Sequence, residues 1–405
     1  MRKFLAIALA FTMAFALFGC GKQVAAPATV TPAAPSASAP TEATAPADSA
    51  APAESQDAGT IGYLTDKVNH FSRDPYKLVS MALNTSTTYT QKINENLANW
   101  GTVLNYELVI YNANEDYDAY LNELEVQTMA GADGFFCGMS GPLISRTREI
   151  CLELDVDFIG CPTAFADDKT GEITWPSVNQ SEYGNGKLMM QWLTDNYKNY
   201  WKDPVDEAKL GLIIIDFSPV IGIHNRLPGV QDVFEKEFPG AKNNIFIADC
   251  VAHPDGFSTT AAYDLTAQYM TANASIEKWF VATLVDDWAI GATRSIEAME
   301  KEDSALVVSI QSDAFINEVT TETKPSVYIA ASAISVAELT GLMATGLVAM
   351  LDGRATAETL WPEWVRDGEK YPCIDLDGKM ITRETYKQWE SENNFEALSA
   401  GMAKG

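Results

Sequence analysis

The sequence predicts an α/β protein built as two doubly wound, parallel-sheet lobes in series. Three observations carry this reading. From residue 76 onward, apolar runs of strand length alternate with stretches whose apolar residues recur at helical spacing, the mark of βαβ units. The alternation starts afresh near residue 209. About 345 residues follow a low-complexity N-terminus, which is long for one core and suits two of ordinary size.

In the first lobe, residues 76–84 read as a buried strand, polar residues 85–88 follow, and 89–100 read as a helix. Residues 107–111 form a second strand, and Leu121 and Leu124 mark the next helix. Residues 133–137 form a third strand, and Leu143, Ile144, Thr147, Ile150, Cys151 and Leu154 a helix. Residues 156–161 form a fourth strand. The second lobe repeats the scheme: strands at 209–216, 244–248, 279–285 and 305–310, with helices at 229–238, 260–271 and 288–299. The apolar stretch 330–351 is long enough to suggest a membrane span, but Gly341, Ala344, Gly346 and Ala349 suit a helix packed closely on a sheet. Ile61-Gly62-Tyr63-Leu64 offers an alternative first strand; the polar and aromatic residues after 84 favour Tyr76 as its start.

The N-terminus reads as an export signal. Arg2 and Lys3 precede an uncharged apolar run from Phe4 to Phe18, too short to span a bilayer comfortably. Its end, Leu17-Phe18-Gly19-Cys20, resembles the lipobox of bacterial lipoproteins, which implies cleavage before Cys20 and a lipid on that cysteine. Residues 23–59 hold no Lys, Arg or aromatic residue and are mostly Ala, Pro, Ser and Thr. Such a segment cannot bury a core and reads as a tether with a reach of ~35 Å.

Composition narrows the partners. The net charge is −27, and −29 once Arg2 and Lys3 leave with the signal. That balance disfavours DNA and anionic membrane surfaces, and no basic helix-turn-helix is present. Five cysteines remain after Cys20, without Cys-x-x-Cys spacing or flanking histidines; they read as core residues, with one disulfide as an alternative, and no metal or cofactor is expected. Three histidines and the lack of a Gly-x-Ser-x-Gly, P-loop or His-Glu-x-x-His motif argue against an enzyme.

Several segments together resemble the type I periplasmic binding proteins, above all their ribose- and galactose-binding branch. They are Gln-Thr-Met-Ala-Gly-Ala-Asp-Gly-Phe-Phe at 127–136, residues 179–189 with Gly184 and Gly186, Asn225-Arg226-Leu227-Pro228-Gly229, and Asp286-Asp287-Trp288-Ala289-Ile290-Gly291-Ala292. Their order and spacing carry the resemblance, over roughly residues 76–382. It implies a three-strand hinge between the lobes, with crossings near Pro162, Ala331 and Gly353. The divisions expected are a signal at 1–19, a lipidated tether at 20–58, a first lobe at 59–162 plus 332–352, and a second at 163–331 plus 353–405. It further implies a monomeric, membrane-tethered lipoprotein, facing the periplasm or the cell exterior, that delivers a small ligand to the permease of an ABC transporter. A chemoreceptor or sensor kinase is the alternative partner.

Ligands of doubly wound sheets bind beyond the carboxyl ends of the strands. In the first lobe this selects Asn84, Thr85, Tyr89, Asn112 and Ser140, and in the second Arg226, Phe257, Asp286 and Gln311. Their amides, hydroxyls, charges and rings suit a sugar, whose hydroxyls need paired donors and acceptors and whose C–H faces pack on aromatics. Arg226 sits at a helix start, where a cation opposes the dipole, so a ligand role or a surface ion pair must explain it. Asp287 is expected to cap the helix from Trp288, leaving Asp286 for the cleft. Phe257 and Tyr89 have packing as their plainer reading, and Trp175 either lines the cleft or covers an edge. Gln311 stands where similar sugar binders place Asp, which leaves a nucleoside, a furanose signal or an amino-acid-like ligand open.

Overall fold

The computed structural model describes residues 60–402 except 86, 87, 140, 142, 168, 323 and 325; the expected signal, Cys20 and the tether lie outside them. The chain first lays down β1 (Tyr76–Ala82), α1 (Thr88–Leu104), β2 (Tyr106–Asn112), α2 (Tyr117–Met129), β3 (Gly134–Cys137), α3 (Leu143–Glu153) and β4 (Asp157–Gly160). A small hairpin, β5 (Phe165–Ala166) and β6 (Ile173–Trp175), leads to β7 (Ser177–Gln180). Then come α4 (Glu182–Asn196), β8 (Leu210–Asp216), α5 (Ile221–His224), α6 (Leu227–Glu237), β9 (Ile245–Asp249), α7 (Thr259–Ala272) and β10 (Lys278–Thr283). α8 (Asp286–Ala298), β11 (Ala305–Ile310), α9 (Asp313–Thr321) and β12 (Tyr328–Ala333) complete that run. The last elements are α10 (Val336–Leu351), β13 (Cys373–Leu376), β14 (Lys379–Thr382), α11 (Tyr386–Glu392) and α12 (Phe395–Ser399).

The strands form two six-stranded sheets with the same connectivity, β2-β1-β3-β4-β7-β13 and β9-β8-β10-β11-β12-β14. All pairings in both are parallel except the edge pair β12–β14. Leu78, Val79, Phe135, Phe136, Phe158 and Ile159 bury the two faces of the first sheet, and Leu212 to Ile215 with Phe280 to Ala282 fill the second core. Strands buried on both faces read as continuous apolar runs, which is why periodicity located them.

The crossings differ from those expected near Pro162 and Gly353. β7 and β13 both belong to the first sheet, so the chain leaves that lobe at Ser181, re-enters it at Ile334–Ser335 between β12 and α10, and leaves again at Asp377–Gly378 between β13 and β14. The C-terminal α12 then returns to the first lobe, where Phe395 meets Trp100 edge-on at 5.1 Å. The stretch 330–351 divides at Ser335, whose hydroxyl caps α10 by accepting from Glu338 N at 3.0 Å. Its first part is β12, and no helix among the described residues is long and apolar enough to cross a membrane.

Residues 61–64 are a turn rather than a strand. Gly62, at φ +77°, offers its carbonyl to Trp361 Nε1 (2.8 Å) and Thr345 Oγ1 (2.7 Å). Asp66 pairs with Arg354 at 2.6 Å and Arg73 with Asp352 at 2.9 Å, so the segment before β1 is bound to α10 and the chain after it.

α4 and α6 cross at two glycines. A Cβ on Gly186 would lie 2.0 Å from Arg226 O, and one on Gly229 2.2 Å from Tyr183 O. Both obstacles are backbone, so Gly229→Ala must push the helices apart. The expected loss is about 1–3 kcal/mol of stability, read as a lowered midpoint in urea unfolding; an unchanged midpoint contradicts the crossing.

Candidate functional site

The most constrained group between the lobes is Arg226, the residue before α6. Its side chain is 4% exposed. Nε donates to Glu182 Oε2 at 2.5 Å, Nη1 to Leu284 O at 2.6 Å and Nη2 to Gln180 Oε1 at 3.1 Å. Gln180 Nε2 in turn donates to the Tyr89 hydroxyl. The ends of β7 and β10 and the first turns of α1 and α4 therefore meet at one guanidinium. Three of its five N–H groups have partners among the described residues. Burial pushes the Glu182 carboxyl up, and the adjacent guanidinium pulls it back.

One amide ties the crossings together. Asn185 Oδ1, fully buried in α4, accepts from Gly378 N at 2.6 Å and Ser332 Oγ at 3.3 Å. It thus joins the chain just after the first crossing to residues beside the other two, while its Nδ2 has no partner among the described residues.

Asp287 does not take the capping role expected of it, and Asp286 is held by backbone amides. α8 begins at Asp286 itself, and the residue before it, Val285, offers no side-chain cap. Asp286 is 6% exposed; Oδ1 accepts from Asp287 N at 3.1 Å and Oδ2 from Ala314 N at 2.7 Å, so it holds the start of α9. Burial raises its pKa to about 7, with the charges of Asp287 and Asp313 adding to the effect and the Ala314 amide opposing it. Asp287 is exposed and makes no side-chain cap. Beside them, Lys92 of α1 forms an ion pair with Asp313 of α9, a direct bond between the lobes.

Gln311 follows β11 in the left-handed region, φ +69°. Its N–H donates to Ser332 O at 2.9 Å and its carbonyl accepts from Ser309 Oγ at 3.0 Å, so the backbone is pinned in a conformation a non-glycine residue adopts at a cost. Phe257 is 48% exposed; its ring meets Phe217 at 5.3 Å and the buried Trp288 at 4.9 Å, both edge-on.

The remaining candidates lie apart from this group. Asn84 donates to Glu115 at 3.0 Å, and Asn112 is folded into its own turn with Asn114 at 3.1 Å. Both lie towards the β2 edge of the first sheet. Thr85 is half-buried. Ser140 lies outside the described residues. Trp175 covers the sheet, stacked on Phe158 at 4.5 Å with its indole N–H on Phe158 O at 2.8 Å. Spacing alone had not singled out Gln180, Glu182, Asn185 or Lys92; the only local signal was the segment 179–189. The described residues contain no group of three or more His, Cys, Asp or Glu placed to hold a metal.

No protein-family model matches the chain, and no curated protein is similar to it. Solved structures do match. A ribose ABC transporter protein of Conexibacter woesei is 15% identical, with 80% of this chain and 98% of that one covered at a TM-score of 0.61. The Caulobacter myo-inositol binding protein is 15% identical, covering 77% and 95% at 0.59. A glucose-galactose binding protein of Geobacillus stearothermophilus is 14% identical, covering 77% and 99% at 0.56. The chain has the type I periplasmic-binding-protein fold. In that fold the lobes face each other across the carboxyl ends of their strands, and the Arg226 group sits there.

The two neighbouring aspartates give a sharp test. Asp286→Ala strands two backbone N–H groups and should cost about 1–3 kcal/mol of stability, whereas Asp287→Ala should stay within about 0.5 kcal/mol. Equal melting temperatures for the two variants contradict the arrangement. The pH dependence has a fixed sign. The unfolded carboxyl titrates near ~3.9 and the native one near about 7, so the native state holds the proton more tightly. Its stabilising contribution is complete below the lower value and is lost as pH rises through the upper one. The stability of the parent relative to Asp286→Asn should therefore fall between pH ~4 and ~7; a flat or rising difference in melts contradicts the raised value.

Proposed function

We propose that this protein is an extracytoplasmic solute-binding lipoprotein that captures a small sugar or polyol between its lobes and delivers it to the permease of an ABC transporter. The observation that carries the reading is the meeting of Tyr89, Gln180 and Arg226 at the lobe junction, with guanidinium N–H groups to spare and a half-exposed aromatic, Phe257, on the second lobe. Fixed donors and acceptors beside an exposed ring match the two surfaces of a sugar. The similar structures point the same way, since their names specify glucose and galactose, ribose and myo-inositol.

Asp287, Asp313 and Gln311 join Arg226 and Phe257 as the second lobe's ligand residues; Asp286 acts by holding the loops that carry them. From the first lobe, Tyr89 reaches the ligand directly. The chain acts as a monomer with no cofactor, and Cys20 carries the lipid that holds it at the membrane. The role is one of binding rather than catalysis, in keeping with the binding and transport named for the similar structures.

Selective binding to the native state stabilises it by mass action, about 2.7 kcal/mol at a hundredfold excess over Kd. A panel of pentoses, hexoses and inositols should contain compounds that raise the melting temperature by several degrees. Phe257→Ala should weaken the best of them roughly tenfold, the equivalent of ~1.4 kcal/mol. Shifts with nucleosides or amino acids and none with any polyol overturn the ligand class. Cys20→Ala should be exported yet absent from the membrane fraction; partition equal to that of the parent overturns the lipid anchor.

A further inference from the structure

The cleft contains an arginine that is already neutralised. Arg226 is the buried cation of the lobe junction, and its Nε is held by Glu182, the first residue of α4, whose side chain lies in the same enclosed space. The other cation reaching between the lobes, Lys92, is paired with Asp313. Around them the second lobe presents Asp286, Asp287 and Asp313 at the starts of α8 and α9, and Asp216 beside His224. Among the described residues, both cations at the lobe junction, Arg226 and Lys92, are thus matched by a carboxylate, and the exposed carboxylate of Asp287 remains over. Arg226 keeps hydrogen-bonding capacity without net charge to offer, because guanidinium and carboxylate cancel while two N–H groups stay free among the described residues.

We infer that Glu182 is a specificity-determining residue: by occupying Arg226 it lets the cleft accept neutral polyols and reject ligands bearing a carboxylate or phosphate. An anionic ligand must displace Glu182 from the guanidinium, leaving a buried carboxylate unpaired, or sit unpaired itself against the aspartates. Either is costly in a desolvated site. A neutral hydroxyl takes the spare N–H and disturbs nothing. Glu182 also stands in the first turn of a helix, where a negative charge is favoured for structural reasons alone. A purely structural role leaves ligand discrimination untouched, so selectivity separates the two.

This inference rests on the sugar-binding reading, and the experiment distinguishes their failures. Titration calorimetry compares D-galactose with D-galacturonate, D-glucose with D-glucuronate, and myo-inositol with myo-inositol 1-phosphate, on the parent protein and on Glu182→Gln and Glu182→Met. The parent should bind a neutral member at least a hundredfold more tightly than its anionic counterpart. Either variant should narrow the preference for the neutral compound over its anionic counterpart at least tenfold, whatever it does to the neutral affinity itself. Parent protein that binds an anion within threefold of its neutral partner overturns the inference and leaves the sugar reading intact. So does a folded variant that keeps neutral binding without gaining the anion. Parent protein that binds no compound of either kind overturns both. If neither variant folds, the comparison on the parent decides the matter.

Discussion

A buried guanidinium sets the terms for the middle of this molecule. Arg226 cannot shed its charge, and an unpaired charge out of water costs several kcal/mol. The strand ends and helix starts around it are therefore arranged as its partners: Gln180 from β7, Glu182 from α4 and Leu284 O after β10. Gly186 and Gly229 serve the same arrangement, because they let α4 and α6 approach closely enough for Arg226 and Glu182 to meet. The group lies where two lobes of the type I periplasmic-binding-protein fold face each other, so a demand of electrostatics and a place for a ligand coincide.

The junction is rigid in its connections and weak in its contacts. Asn185 holds all three crossings through one carbonyl oxygen. Away from the hinge, the Lys92–Asp313 pair joins the lobes with both side chains more than a third exposed, and such pairs are worth only ~0.2–1 kcal/mol. A contact of that size is too weak to fix the two lobes against each other by itself.

Much of the fold was legible because parallel strands buried on both faces leave continuous apolar runs, and the second lobe repeats the pattern of the first. What escaped has physical causes. β7, Ser-Val-Asn-Gln, is short and polar at three of its four positions; it is a strand because β4 and β13 flank it, and no local pattern reports that. Missing it displaced the first crossing from Ser181 to Pro162. The boundary at Ser335 was hidden because strand and helix there are both mostly apolar, with only small polar residues and Glu338 between them. In the site, Arg226 was recognisable from its unfavourable place at a helix start, but its partners lie 44 and 46 residues upstream. Asp287 was misassigned as a cap because α8 begins at Asp286 and starts without a side-chain cap, so the acid that the capping rule selected is left exposed.

The central claim is that the paired guanidinium and its neighbours bind a small, uncharged, polyhydroxylated molecule. The most direct measurement is mass spectrometry of small molecules released by denaturing protein purified from its own cells without added sugar. The account predicts a neutral sugar or polyol, present in proportion to the protein and lost when Arg226 is replaced by alanine. Stoichiometric release of an amino acid, a nucleotide or another anion contradicts it.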